Sequence, residues 1–146
     1  MNTPIVNLTF ANNSKLIKFG SMSLENCTNL IYTTYNKGNY LGSIDNPYLI
    51  LVSAISPVNF TIADTTRILY RECFSNCVSM QSLIIPSSVT HIGSYAFMYY
   101  SQHTGYHDFS IRSITFEENS NLLIIDTGAF QHCRYLTTFT IPKTVK

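Results

Sequence analysis

The stretch Leu83-Ile84-Ile85-Pro86-Ser87-Ser88-Val89-Thr90-His91-Ile92-Gly93-Ser94-Tyr95-Ala96-Phe97 decides how this chain is read. Leu83 and Ile85 flank one outward residue, the period-two pattern of a strand buried on a single face. Pro86 ends that strand, because it has no N–H to donate to a ladder. Val89 and Ile92 form a second short apolar pair, and Gly93 marks a corner. Ala96-Phe97 follows too soon for a long helix, so a single 3-10 or α turn is expected there.

The pattern recurs along the chain. At a constant offset of 23 residues Phe60 maps to Leu83, Ile62 to Ile85, Leu69 to Ile92, Phe74 to Phe97 and Cys77 to Tyr100. At an offset of 106, Leu8 maps to Ile114, Phe10 to Phe116, Leu16 to Leu122, Leu24 to Phe130 and Cys27 to Cys133. The triplets Met80-Leu83-Ile85, Ile111-Ile114-Phe116 and Leu136-Phe139-Ile141 repeat the strand spacing. Four units are visible, and residues 137–146 read as an incomplete fifth that opens at Ile141-Pro142. A single unit of this size cannot close a core, so successive units must stack. Phe74, Phe97 and Phe130 should then lie one above another.

Ser87 to Phe97, with its Ser-Val-x-x-Ile-Gly-x-x-Ala-Phe spacing, resembles the BspA-type (Treponema-type) leucine-rich repeat over residues 5–30 and 57–146. The departures are Ser23-Leu24 and Cys73-Phe74 for Ala-Phe, and Tyr100 for Cys. Each keeps a small or apolar residue where the core needs one. The resemblance implies a β-rich solenoid of the α/β repeat class, a right-handed coil with a parallel sheet and short 3-10 or α turns. It also implies a recognition module of the cell-surface or secreted adhesin kind, with a protein or glycan ligand.

Two segments break the period. Residues 31–56 hold β-prone runs around Gly42-Ser43-Ile44-Asp45-Asn46-Pro47, which signals a β-hairpin insertion with a long turn. Residues 98–110 hold a ten-residue enlargement of the unit and are rich in Tyr and His, and Tyr99, Tyr100, His103, Tyr106 and His107 are candidate partner contacts. The expected organisation is one domain over residues 1–146 carrying both insertions.

Composition narrows the function classes. Apolar residues make up 45 % and charged residues 12 %, with a formal net charge of +1. A neutral chain lacks the clustered cations that displace counterions from nucleic acid. Unbroken apolar runs such as Leu49–Val52 are far shorter than the ~20 residues of a spanning helix. The start Met1-Asn2-Thr3-Pro4 has no basic or apolar signal-peptide region.

Catalytic constellations are weak. His103, His107 and Asp108 have a metal-like spacing, but zinc needs three or four converging ligands, and Gly105 argues against a helix that would align the pair. No nucleophile signature or phosphate loop occurs. A non-catalytic protein without cofactor is expected. Cys27, Cys77 and Cys133 share one column, where Cys serves as a small buried hydrophobe and weak donor. Stacking could also bring Cys27 and Cys77 within disulfide reach. Asn-x-Ser/Thr acceptors stand at Asn7, Asn12, Asn26 and Asn59, a number that so Asn- and Thr-rich a chain produces by chance.

One exposed face follows from the strand alternation. Its outward columns are Asn7, Asn59, Ser82, Ser113 and Thr138, then Thr9, Thr61, Ile84, Thr115 and Thr140. Short hydroxyl and amide side chains in register either bond to one another along the sheet or offer a flat neutral surface to a protein or glycan. The competing class is a structural spacer with no partner of its own. The Ile141–Val145 edge, if unpaired, would invite a second copy.

Overall fold

The structure is a computed structural model that describes residues 5–55, 59–75, 77, 79–98, 111–137 and 139–146. Its elements are strands and turns, with no helix among the described residues. β1 (Thr33–Tyr35), β2 (Gly38–Leu41) and β3 (Ile50–Ala54) come first, then β4 (Ile68–Leu69) and β5 (Ser82–Ile85). β6 (His91–Ile92), β7 (Ser113–Phe116) and β8 (Ile124–Ile125) complete the set.

The repeat resolves into two parallel ladders. β3, β4, β6 and β8 lie side by side, with Ile50 opposite Ile68, Ile68 opposite His91 and His91 opposite Ile124. The register advances by 23 residues from β4 to β6 and by 33 from β6 to β8, so the enlargement after Met98 is absorbed between units. β5 and β7 form the second sheet, with Ser82 opposite Ser113 and Ile84 opposite Thr115. Between the ladders lies the main core, to which Leu69, Ile92, Leu83, Ile85, Val89, Ile114 and Leu122 all contribute. This is the β-rich repeat with parallel strands that the spacing predicts.

The phenylalanine spine is continuous. Phe74 and Phe97 stack with ring centroids 4.8 Å apart, and Phe97 and Phe130 follow at 5.2 Å. Phe60 closes one end edge-on at 5.7 Å, and Phe139 continues the other at 4.9 Å. Backbone bonds tie the same corners together: Phe74 N–H donates to Ala96 O, and Phe97 N–H to Ala129 O. The thiols of Cys77 and Cys133 each reach back to the unit before, at 3.6 Å from the carbonyls of Ala54 and Phe97. Burial pushes the Cys133 thiol up to about 11, which keeps it a proton donor.

The corner is a run of single turns, Ala96 N–H to Gly93 O and Met98 N–H to Tyr95 O, each closed over three residues as in one 3-10 turn, and no longer helix forms. The residue two places after each corner is left-handed: Glu72 at φ 54°, Tyr95 at 57° and Gly128 at 66°. A helix of L-residues cannot pass through that conformation.

Residues 31–56 contain the expected hairpin, and more. β2 pairs antiparallel with β3 across a long turn, and β1 pairs antiparallel with β2 through Asn36 and Lys37, both at positive φ. Yet β3 also joins the parallel stack against β4, so this segment extends the repeat sheet instead of standing apart from it. Buried Tyr40, packed on Tyr35 and Tyr48 and accepting from Ala63 N–H, covers one end of the core.

The N-terminal unit is placed differently from the sequence reading. Leu8, Phe10, Leu16, Phe19, Leu24 and Cys27 do not join the phenylalanine spine. They form a second cluster with Leu30, Leu41, Leu49, Ile50, Ile68 and Tyr70, on the other face of the six-stranded sheet. The cause is the apolar outer position of β3 and β4: Ile50 and Ile68 are both fully buried, and a parallel sheet with two apolar faces must be covered on both. Consequently Cys27 sits in the second cluster and Cys77 in the first, so these two do not stack. All four cysteines are free thiols.

Candidate functional site

Five of the sequence-predicted contacts, Tyr99, Tyr100, His103, Tyr106 and His107, lie outside the described residues, as does Thr138. The outward columns of the second sheet can be followed directly. Ser82, Ile84 and Thr115 are exposed and Ser113 is half-buried, while their neighbours Leu83, Ile85 and Ile114 face the core. The alternation of the sequence therefore becomes a real surface here. Asn59, Thr61 and Thr140 are exposed too, though they fall outside the assigned strands.

These side chains are not committed to one another. Among the described residues Ser82, Ser113, Thr115 and Thr140 have no side-chain hydrogen bond to protein, so the hydroxyls do not form a ladder along the sheet. Thr61 is the exception, since the hairpin tip reaches over it and Asn36 Nδ2 donates to its Oγ1 at 2.6 Å.

The internal polar ladder runs elsewhere, along the corner that follows each strand of the second sheet. Ser88 Oγ donates to Thr66 O at 2.7 Å, Asn121 Nδ2 to Ser87 O at 3.0 Å and Thr144 Oγ1 to Ser120 O at 3.4 Å. Thr66 Oγ1 donates in turn to Tyr48 O at 3.0 Å. Such side-chain bonds to the neighbouring unit's carbonyls satisfy backbone that the short strands leave unpaired. The sequence signal was present in the Pro-Ser-Ser and Asn-Ser-Asn corners, which read only as turns.

A cavity of about 880 Å³ opens beside β7. Ser113, Thr115 and Glu117 line one wall, and Phe139, Thr140 and Lys143 line the other. It arises because residues 139–142 run alongside β7 without becoming a strand. Ile141, which the unit pattern places inside, is 53 % exposed, whereas Val145 packs on the core after a turn at Lys143 and Thr144. The expected Ile141–Val145 edge is thus a turn and not a strand. At the opposite end of β7 the Arg112 guanidinium lies 5.5 Å over the Tyr135 ring, both residues being exposed. Spacing alone does not point to this pair, because the two positions belong to different columns of the repeat.

A charged cluster joins the N-terminal segment to the six-stranded sheet. Asp126 accepts from Lys18 Nζ and contacts His91 Nε2, each at 2.9 Å. His91 is fully buried, and its Nδ1 has no hydrogen-bond partner among the described residues. Burial alone would raise the Asp126 carboxyl, but the hydrogen bonds from Lys18 and His91 outweigh it and hold the group below the usual carboxylate range. A lowered folded-state pKa contributes stability that is present above the unfolded value of about 3.9 and lost as pH falls through the folded one. Wild-type unfolding midpoints should therefore drop on acidification below about pH 4. Asp126→Asn should lose part of that acid-side slope, and parallel slopes would remove Asp126 from the account.

Among the described residues no group of three or more His, Cys, Asp or Glu is placed to hold a metal ion. Among the described residues there is no helix long and apolar enough to cross a membrane. A family model described as the BspA type leucine rich repeat region matches residues 51–146 in six copies. No curated protein and no solved structure matches the chain. The matched span begins within β3 and so includes most of the strand that the sequence reading had assigned to an insertion.

Proposed function

Because the chain belongs to the BspA-type leucine-rich repeat family, we propose that it is a non-catalytic recognition module, binding a protein or glycan through the outward face of β5 and β7. In this reading residues 1–146 are one right-handed solenoid domain of a surface or secreted adhesin-like protein. The observation that carries the proposal is the uncommitted hydroxyl face: Ser82, Ser113 and Thr115 donate to nothing within the chain's described residues. Ile84, 60 % exposed, stands among them as an apolar contact. The adjoining cavity supplies concavity, which ligand surfaces need to exclude water. Arg112, the residue before β7, and Tyr135 against it are exposed and of the types that interfaces favour. Tyr99, Tyr100, His103, Tyr106 and His107, outside the described residues, stay in this reading as further candidate contacts because of their residue types alone.

The test is a binding panel of immobilised extracellular-matrix proteins and a glycan array, read with the wild type and with Ser82→Arg/Thr115→Arg. Both positions are exposed, so folding should survive. Binding by the wild type should fall at least about tenfold in the variant, equivalent to about 1.4 kcal/mol. With so little charge on the face, that binding should vary weakly with salt. Retained binding in the variant would move the site off this sheet. A monomeric wild type that binds nothing on the panel would leave the spacer reading in its place.

A further inference from the structure

We infer that Asn7, Asn12 and Asn26 are acceptor sites for asparagine-linked glycan, all carried on the N-terminal segment that covers the outer face of the six-stranded sheet. The inference rests on the export reading above. The observation behind it is how the fold uses its asparagines. Those outside the acceptor pattern include the working amides: Asn36 bonds Thr61, Asn39 bonds Ser53, Asn46 bonds Thr65 and Asn121 bonds Ser87. Asn7, Asn12 and Asn26 are exposed, and their amides have no side-chain hydrogen bond among the described residues. The hydroxyl residues Thr9 and Thr28 are exposed and Ser14 is half-buried. Asn12 sits in the turn closed by Ser14 N–H to Ala11 O, and Asn26 stands at φ 62° at the end of a turn. A bulky, hydrated substituent at these places would project from the surface and displace no packed side chain.

The fourth acceptor is held differently. In Asn59-Phe60-Thr61 the middle residue is buried at 6 % exposure, and the Thr61 hydroxyl is engaged by Asn36. Asn59 and Thr61 are exposed, but in the folded protein the acceptor's hydroxyl is committed to Asn36. Glycan on the N-terminal segment would shield the side of the molecule opposite the hydroxyl face, whereas glycan on Asn59 would crowd the first rung of that face. The fold thus selects acceptors that leave the proposed recognition surface open.

The group transfer requires a lipid-diphosphate-linked oligosaccharide. The acceptor's Nδ2 bonds to the anomeric carbon of the sugar, and the carbon–oxygen bond to the diphosphate breaks. The lipid diphosphate leaves with the bonding electrons, and the amide gives up one proton.

In the test the full chain is exported through a yeast secretory pathway behind an added leader. The secreted protein is mapped by mass before and after treatment with a peptide N-glycosidase, which converts each occupied asparagine to aspartate. At least two of Asn7, Asn12 and Asn26 should be occupied in most copies, and Asn7→Gln, Asn12→Gln and Asn26→Gln should each remove one step of the gel shift. Asn59 should be occupied less than these. Secreted chain with fewer than two of the three occupied overturns the assignment. Asn59 occupied as fully as the others overturns the selection by the fold. Because the leader imposes export, both results stand apart from the binding panel, on which the recognition reading succeeds or fails alone.

Discussion

Replacing Phe97 with alanine is expected to cost about 3–5 kcal/mol of folding stability, the range for a fully buried phenylalanine. Phe97 has no exposed surface and touches a ring on both sides, Phe74 at 4.8 Å and Phe130 at 5.2 Å, each nearly parallel to it. Two losses therefore combine: the apolar area itself, and two stacked pairs worth about 0.5–1.5 kcal/mol each beyond area. The surrounding units cannot close over the gap, because backbone bonds from Phe74 to Ala96 and from Phe97 to Ala129 fix the spacing between them. Denaturant unfolding of the wild type and of Phe97→Ala would read this directly. Against a typical total of about 5–15 kcal/mol the variant should be severely weakened. A loss under about 1 kcal/mol would mean that the spine carries little of the stability.

The same spine explains why so much of the fold was legible. One Phe per unit at a fixed place forces the units into register, and the register then dictates which strand positions face in. Leu83, Ile85 and Ile114 are buried and Ser82, Ile84 and Thr115 are exposed because alternation and stacking agree. What escaped was the second face of the six-stranded sheet. The pairs Ile50-Leu51, Ile68-Leu69 and Ile124-Ile125 are apolar at both positions, the signature of a strand covered on both sides. Read one residue at a time they look like a single inward position with a tolerant neighbour. The N-terminal unit obeys the repeat spacing so well that stacking on the spine was the natural expectation. Ile50, Ile68 and Tyr70 give it a different place to bury Phe10, Phe19 and Leu24.

The candidate surface was legible as a list of outward residues but not as a site. Spacing gives Ser82 and Thr115 the same status as Thr61, and only the hairpin tip, folding back from Asn36, separates them. Likewise nothing in the pattern of Leu136-Phe139-Ile141 says that this run stays out of the ladder and leaves a cavity against β7. Whether hydroxyls bond along a sheet or are left for a partner depends on which side-chain and backbone groups lie within reach. Here the corner residues Ser88, Asn121 and Thr144 take up the internal role, and the sheet residues are released from it.

Gly93 provides the second large effect. The sequence marks it only as a corner. The observed reason is proximity. Gly93 N–H donates to Leu69 O at 2.8 Å, so its Cα lies directly against the preceding unit. A Cβ there would meet Leu69 O at 2.8 Å, Arg71 N at 2.9 Å and the Tyr70 carbonyl carbon at 3.0 Å. All three are backbone atoms of the end of β4 and the turn after it, so no side chain can rotate out of the way. Gly93→Val must therefore push two units apart at the point where the Asp126–Ile92 and Gly93–Leu69 bonds hold the stack together. Forced insertion of this kind costs about 1–3 kcal/mol, occasionally more. Gly93→Ala should fall at the lower end of that range. Amide exchange should locate the damage, with protection lost first at Gly93 and Asp126 while β2 and the hairpin side of β3 keep theirs. Equal stability of Gly93→Val and wild type would show that the units tolerate a wider separation, and the close approach would then have no part in holding the stack.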